Sequence, residues 1–210
     1  GPLTMPLALR SATPSDLDAL EGLESRGFSG DRFTRRQLRH LLQRAHGLTL
    51  IAEDATGSVV PLGYGTLLFR RNSRAARLYS LCVAPEARGQ GVGKALLEAL
   101  ERDGRKRGCE RMTLEVRADN RVALGLYRRA GFRLACWLDD YYEDGCAAWR
   151  MVKALGIPRE RPAVAPPGSP SVAALAASSA PSSTPPSEPS SVTSGEDSVV
   201  TPRGSPSMVD

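Results

Sequence analysis

A glycine-rich segment between two basic residues is the part of this sequence best suited to chemistry. Residues 88–94 read Arg-Gly-Gln-Gly-Val-Gly-Lys and follow an apolar run, 78–83, that is typical of a buried strand. Leu96, Leu97 and Leu100 then have helical spacing. A helix that begins at such a turn leaves N–H groups unpaired at the positive end of its dipole. Because glycines let an anion come close, the segment predicts a phosphate-binding loop.

The same residues would also suit a plain strand-to-helix connection that binds nothing. The spacing does not match the Gly-x-Gly-x-x-Gly pattern of a Rossmann dinucleotide site or the Walker A pattern. Three glycines within five residues, flanked by Arg88 and Lys94, favour an anion over the plain connection.

Three motifs resemble the GNAT N-acetyltransferases. Arg88-x-x-Gly91-x-Gly93 after a strand resembles their acetyl-CoA pyrophosphate loop. Residues 114–132, LEVRADNRVALGLYRRAGF, and 141–145, YYEDG, resemble the RimI-type protein N-terminal acetyltransferases. The resemblance covers roughly residues 7–154. It implies an α/β (α+β) fold in which helices flank a mixed, mostly antiparallel sheet.

Glu115 and Tyr127 are the candidate catalytic residues. Glu115 lies mid-strand and faces opposite to Leu114 and Val116, a placement that alone favours a surface glutamate. The match to the LEVR motif assigns it instead as the base that deprotonates the amine, directly or through water. Tyr127 has the spacing of a core residue, but the resemblance places it beside the sulfur of coenzyme A. A phenol, with a pKa of about 10, can protonate a thiolate there.

The resemblance further implies that acetyl-CoA is bound by a strand, the glycine loop and the start of a later helix. The strand backbone would pair with the pantetheine arm as an added strand does. Asn120, by default a local helix cap, would also contact the cofactor. The cofactor-binding candidates are Leu81, Cys82, Val83, Arg88, Gly89, Gln90, Gly91, Val92, Gly93, Lys94 and Asn120.

The acceptor side is less determined by the sequence. Tyr141 and Tyr142 either line the acceptor pocket or form a partly buried aromatic pair. Ser80 stands where RimI-type sequences often have another polar residue, and the arginine-rich stretch 35–44 has no match in them. We expect both departures to concern the acceptor. Cys82 is not expected to act as a nucleophile, because no histidine lies near it in sequence and the resembled family transfers the acetyl group directly.

Composition divides the chain into a folded domain and a tail. From Ile157 onward the chain has no aromatic residue, holds 11 of the 16 prolines, and is dominated by Pro, Ser and Ala. Such a segment buries too little apolar surface to offset the entropy of ordering it. We predict an acetyltransferase domain over residues 5–156 and a disordered tail over residues 157–210.

Charge and cysteine usage limit the partners. Residues 1–156 have a net charge of +7, which polyanionic coenzyme A explains in part. We see no nucleic-acid-binding motif, no apolar run long enough to span a membrane and no signal peptide. The four cysteines lack CxxC pairing and form no metal pattern with the two histidines. We therefore expect reduced thiols, no metal, no nucleic-acid or membrane partner, and a cytoplasmic location.

The remaining elements follow from apolar periodicity and turn residues. Thr13 before Pro14 predicts a helix start, and Gly131 predicts the end of a helix with Val122, Ala123, Leu126 and Tyr127 on its apolar side. Predicted strands are 7–10, 48–53, 59–70, 78–83, 112–117, 134–138 and 147–152.

The sequence therefore predicts an enzyme that transfers an acetyl group from acetyl-CoA to a primary amine in a ternary complex. The expected acceptor is the N-terminal α-amine of a protein or peptide. The alternatives are a small-molecule amine, a lysine side chain, or a non-catalytic acyl-CoA-binding module. The sequence does not determine the oligomeric state.

Overall fold

The computed structural model describes residues 6–27, 32–43, 46–56 and 60–156. It contains one seven-stranded sheet, which confirms the predicted mixed and mostly antiparallel α/β fold. The boundary at residue 156 and the nature of the tail stay predictions, since residues 157–210 lie outside the described residues. The elements are β1 (Leu7–Ser11), a 3-10 turn (Pro14–Asp16), α1 (Leu17–Gly27), α2 (Arg35–Gln43), β2 (Gly47–Asp54), β3 (Pro61–Phe69), β4 (Ala75–Val83), a 3-10 turn (Pro85–Ala87), α3 (Val92–Lys106), β5 (Arg111–Arg117), α4 (Arg121–Arg129), β6 (Arg133–Leu138) and β7 (Ala148–Ala154).

The sheet splits in its middle. Its strand order is β1-β2-β3-β4-β5-β7-β6, and β4 and β5 form the parallel pair. Their pairing covers only three residues of each strand and ends at Arg77 and Thr113. Beyond that point residues 78–83 continue along β3, and residues 114–117 continue along β7. The two strands therefore diverge and leave an opening between the two faces of the sheet.

Helices pack on both faces, as predicted. A Cβ atom on Gly65 of β3 would lie 2.8 Å from Leu100 Cδ1, so α3 packs directly on this face. The preceding residue, Tyr64, faces the opposite side, because side chains alternate along a strand. Its hydroxyl donates to Glu24 Oε2 of α1 at 2.7 Å. The faces are named below the α3 face and the α1 face.

The helix termini use the predicted capping residues. The Thr13 N–H donates to Asp16 Oδ2 at 2.8 Å, across Pro14 at the first helical position. Asn120 Oδ1 accepts from the Ala123 N–H at 3.1 Å at the start of α4. Gly131 follows α4 with φ +102°, a left-handed conformation that suits glycine.

One predicted core position is wrong. Val122 was expected on the apolar side of α4, but 51% of it is exposed. The buried residues of α4 are Ala123 and Tyr127, which lie four positions apart on one side of the helix. Val122 precedes Ala123 by about 100° of helix rotation and so points toward solvent. In the described part of the chain, no helix is long and apolar enough to cross a bilayer.

Candidate active site

The glycine loop forms an open helix N-terminus. Gly89 and Gly91 both have φ +80°, and Gly91 caps α3. The first main-chain hydrogen bond into the helix runs from Ala95 N–H to Gly91 O at 2.9 Å. The N–H groups of residues 92–94 precede this bond and have no acceptor within the helix. With the helix dipole, these N–H groups suit the anion that the sequence predicts there.

Arg88 connects this loop to the α1 face. One of its terminal nitrogens, Nη2, donates to the Gly27 carbonyl at the end of α1 at 3.2 Å. A second link joins the same two segments, because Arg26 pairs with Glu86. Arg88 therefore anchors the loop as well as bringing positive charge to it.

A groove of about 440 Å³ runs from the loop between α3 and α4. Seven of the eleven predicted cofactor residues line it: Val83, Arg88, Gly89, Gly91, Val92, Gly93 and Lys94. Four further charged residues of the lining were not predicted from the sequence, namely Glu98, Glu101, Arg129 and Lys153. Lys153, on β7, pairs with the buried Glu101 on α3. They were missed because more than 50 residues separate them in sequence and neither lies in a motif.

Glu115 lies on the other side of the split and is buried, with 1% of its side chain exposed. Arg77 Nη2 lies 2.5 Å from Glu115 Oε1, in an ion pair without hydrogen-bond geometry. Arg150 Nε donates to Glu115 Oε2 at 3.2 Å from the directly opposite position of β7. Glu115 is therefore no surface glutamate. Arg77, Glu115 and Arg150 are called the arginine–glutamate cluster below.

Aromatic side chains surround the arginine–glutamate cluster. Arg77 Nη2 donates to the Tyr141 hydroxyl at 3.2 Å, and its guanidinium lies 5.6 Å from the Tyr79 ring. Tyr79 stacks on Phe33, just before α2, at 5.4 Å. This chain of contacts places the cluster on the α1 face. Tyr141 and Tyr142 meet edge to face at 5.0 Å, so they form the expected aromatic pair and also border the cluster.

Two tyrosine hydroxyls are buried without a partner among the described residues. Tyr127 is 0% exposed and meets Phe132 edge to face at 5.7 Å. Tyr142 is 3% exposed. Burial raises the pKa of both phenols above the ordinary value and keeps them protonated. Since buried polar atoms are nearly always bonded, each hydroxyl is available to donate to a ligand.

Residues 17–132 match the acetyltransferase (GNAT) family. The chain belongs to the GNAT acetyltransferase family. A mycothiol acetyltransferase of Clavibacter michiganensis subsp. michiganensis is 35% identical over 139 residues, which are 63% of this chain and 44% of that protein. An uncharacterised N-acetyltransferase of Methanocaldococcus jannaschii is 33% identical over 148 residues, covering 70% of this chain and 91% of the relative. The chain thus spans under half of the first relative.

The fold of this acetyltransferase is also similar to a solved enzyme. The ribosomal-protein-S18-alanine N-acetyltransferase from Escherichia coli aligns with a TM-score of 0.64 and 26% identity. The alignment covers 74% of this chain and 98% of that one. The predicted GNAT identity and its RimI-like character are confirmed by these comparisons.

The groove fits the acetyl-CoA that GNAT enzymes use. The unpaired N–H groups at 92–94 match a pyrophosphate, and Lys94, Arg129 and Lys153 bring positive charge to the same groove. The unpartnered Tyr127 hydroxyl adds a buried donor without a protein acceptor in the described chain. These residues are therefore chemically suited to a phosphorylated thioester.

The other predicted cofactor residues lie outside the groove lining. The Leu81 and Cys82 side chains are fully buried in β4, and Cys82 Sγ lies 3.6 Å from the Leu23 carbonyl on the α1 face. Gln90 Nε2 donates to the Glu86 carbonyl at 3.4 Å, and Asn120 acts as the helix cap already described. Their predicted contacts with the cofactor stay predictions.

Ser80 was expected to concern the acceptor, but it is fully buried. Its hydroxyl donates to the Tyr64 hydroxyl at 3.1 Å, and Tyr64 bonds to Glu24. The other Glu24 oxygen accepts from the Phe33 N–H at 2.7 Å. Ser80 therefore supports the packing of α1 and of the chain before α2. From the sequence, the connection around residues 28–33 could either contact the substrate or be a plain connector, and it lies largely outside the described residues.

All four cysteines of the acetyltransferase are free thiols. Across residues 6–27, 32–43, 46–56 and 60–156, no three His, Cys, Asp or Glu side chains come together in a way that would hold a metal ion.

Proposed function

We propose that this acetyltransferase modifies the N-terminal α-amine of a protein or peptide. The observation that supports the proposal is the split between β4 and β5, which has the groove beside the glycine loop on the α3 face and a buried carboxylate on the α1 face. If β4 and β5 were hydrogen-bonded along their whole length, their paired backbones would separate the two faces of the sheet. At the split, a thioester bound on one face can meet an amine held on the other.

Acetyl-CoA supplies an acetyl group activated as a thioester. The amine nitrogen forms a bond to the thioester carbonyl carbon, and the carbon–sulfur bond breaks. One proton leaves the nitrogen and one proton is taken up by the sulfur. The N–H groups of residues 92–94 and the side chain of Lys94 hold the pyrophosphate, and so fix the thioester for this attack.

Glu115 takes the proton of the amine in this proposal. Both of its oxygens already contact a guanidinium, so the carboxylate must exchange one contact for the amine or for a bridging water. Tyr127 donates its proton to the departing sulfur. Burial raises the pKa of Tyr127 and so keeps its hydroxyl protonated until the carbon–sulfur bond breaks and the thiolate forms.

Similarity to the E. coli enzyme, whose acceptor is an alanine of ribosomal protein S18, supports a protein or peptide acceptor. Tyr141, which is partly exposed and contacts Arg77 of the cluster, adds a surface against which an extended peptide can lie. A second candidate is a small-molecule amine, favoured by the 35% identity to a mycothiol acetyltransferase.

Replacement of Glu115 tests the mechanism. Glu115→Gln should lower kcat on peptides by roughly 10²- to 10⁴-fold, the usual contribution of a general base, and leave the acetyl-CoA Kd unchanged. Thiol release and calorimetry measure the two quantities. Glu110→Gln is the matched control, because Glu110 is exposed just before the same strand and pairs with Arg74. Equal activity of Glu115→Gln and wild type would remove Glu115 as the base.

The acceptor class is tested separately with wild-type enzyme. A panel of peptides with free α-amines is compared with N-blocked lysine peptides and with aminosugar and polyamine substrates. Acetylation of free α-amines at the highest kcat/KM is expected. A clear preference for the small amines would establish the second candidate instead.

A further inference from the structure

The arginine–glutamate cluster is unusual for a site that must accept a positively charged group. It contains two guanidiniums and one carboxylate, so the cluster has an excess of one positive charge. A free α-amine arrives mostly as a cationic ammonium at neutral pH. Like charges at close range repel each other, especially where solvent is partly excluded. An acceptor that contains an anion near its amine would remove this conflict.

We propose that the acceptor has a carboxylate in its first or second residue, and that Arg77 and Arg150 bind it. This inference rests on the proposed function and names the acceptor class of the same site. The ligand chemistry is therefore a peptide α-amine with an Asp or Glu side chain beside it.

The exposure of the three side chains supports this assignment. Glu115 is 1% exposed, while Arg77 and Arg150 are each 31% exposed. An incoming group therefore reaches the guanidiniums before it reaches the carboxylate. Arg150 uses Nε for Glu115, and neither of its terminal amino groups has an acceptor in the part of the chain that the structure describes. Guanidinium donors are arranged to bind a carboxylate in a two-point contact.

The same contacts connect acceptor binding to the action of the base. Each oxygen of Glu115 contacts one arginine. A substrate carboxylate that draws one arginine toward itself frees the corresponding Glu115 oxygen to face the amine. An acidic acceptor thus brings its own amine to the base and also makes room for it.

A purely structural role of the arginines is the competing explanation. A buried carboxylate needs compensating partners, and Arg150 sits directly opposite Glu115 in the sheet. In that case the arginines would affect stability but would not change the order in which peptides are preferred.

Matched peptides distinguish the two explanations. Two sets of hexapeptides differ only in residue one (Asp or Asn) or only in residue two (Asp, Asn or Lys). We expect kcat/KM to be roughly tenfold or more higher for the Asp peptide in at least one set, as a charge-assisted contact provides. Equal or lower values for Asp in both sets would overturn the proposal.

Peptide binding to the CoA-saturated enzyme, measured by calorimetry, gives a second readout. Arg150→Gln should abolish the Asp preference in Kd, and Arg150→Lys should restore part of it. Arg102→Gln is the control for loss of one positive charge, since Arg102 is exposed on α3, on the opposite face. Arg77→Gln is the second variant to be measured. If both Arg150→Gln and Arg77→Gln still bind Asp peptides more tightly than Asn peptides by the wild-type factor, the proposal is overturned, even if catalysis is slower.

The outcomes separate this proposal from the proposed function. If peptides are acetylated without regard to charge, the acceptor preference fails and the α-amine activity stands. If no peptide is acetylated but Asp peptides still bind more tightly through Arg150, the α-amine activity fails and the anion site stands. If a variant fails to fold, the salt dependence of peptide binding to the wild-type enzyme replaces it. The lower Kd for Asp peptides should disappear as the salt concentration is raised, because the Asp contact is ionic. A preference for Asp peptides that salt does not change would count against the proposal.

Discussion

The groove on the α3 face and the arginine–glutamate cluster on the α1 face are built by different means. The end of the groove at the glycine loop is built from backbone, with two glycines at φ +80° and an open helix N-terminus. The cluster is built from side chains on three strands, with Arg77 on β4, Glu115 on β5 and Arg150 on β7. Backbone binding sites depend on a short local sequence, whereas side-chain clusters depend on the tertiary fold.

This difference separates what a GNAT enzyme must share with its family from what it can vary. A pyrophosphate requires the same N–H geometry whatever the acceptor, so the groove tolerates little change. The cluster contacts the acceptor in our proposal, so its side chains can differ between enzymes of different specificity. Substitutions on the two faces should therefore affect different steps.

The largest effect is expected at Gly91. Gly91→Glu forces a β-carbon into φ +80° and puts negative charge at the anion site. The strain of about 1–2 kcal/mol and the lost charged contacts of about 1.5–3 kcal/mol together lower acetyl-CoA affinity by roughly 60-fold to several thousand-fold. Calorimetric titration of acetyl-CoA measures this.

Gly22→Glu is the control for Gly91→Glu. A Cβ atom on Gly22, in α1, meets nothing within 4 Å, so the same substitution there should leave acetyl-CoA binding intact. Peptide binding by the Gly91 variant should also persist, because the cluster is on the other face. Loss of peptide binding together with cofactor binding would break the proposed separation of the two faces.

A smaller effect is expected at Tyr127, the proposed acid on α4. Tyr127→Phe should lower kcat by about 100-fold but leave Tm unchanged or slightly higher, because the hydroxyl is buried without a protein partner in the described chain. Wild-type kcat should not fall between pH 8 and 10 through this group, since burial raises its pKa. A lower Tm in the variant would instead show that the hydroxyl has a structural partner.

The smallest effect on activity is expected at Asp16, which belongs to an ion network outside both regions. Arg10 bonds to Asp16 at 2.8 and 2.9 Å and also to Glu53. Hydrogen bonds from Arg10 and the Thr13 backbone lower the pKa of Asp16 to about 2. The ordinary value is 3.8, so this stability is present above about pH 4 and is lost as the pH falls through 2.

Asp16→Asn should therefore lower the free energy of unfolding by about 1 kcal/mol at pH 7, since Arg10 is partly exposed to solvent. The difference from wild type should shrink toward pH 2, and kcat should not change. Urea unfolding at both pH values measures the stability effect. A fall in kcat for Asp16→Asn would show that an ion pair outside both the groove and the cluster also affects catalysis.

The sequence predicted the strand, loop and helix starts of the groove side, but it did not predict the side-chain contacts of the cluster, for a physical reason. The glycine loop, the strand before it and the caps at Thr13 and Asn120 are all local, so spacing and residue type are enough to find them. The sheet with flanking helices was implied by the GNAT resemblance, which itself rests on local motifs. Glu115 was recognised through the LEVR motif, yet its two arginine partners were not, because Arg77 and Arg150 meet it only across neighbouring strands.

Val122 and Ser80 show the same limit at single positions. Apolar spacing placed Val122 in the core, but α4 buries only a narrow stripe around Ala123 and Tyr127. Ser80 looked like a substrate contact because it differs from the family pattern. Its hydroxyl instead bonds to Tyr64, a strand away, and such a partner cannot be read from neighbouring residues.

The chain has two tryptophans, Trp137 on β6 and Trp149 on β7. Their rings meet at 5.0 Å, close to edge to face, and Trp149 directly precedes Arg150. Intrinsic fluorescence therefore reports on one edge of the sheet, whereas circular dichroism averages over the whole fold. Coincident melting by both signals would indicate a single cooperative unit, and an earlier fluorescence transition would show that this edge opens first.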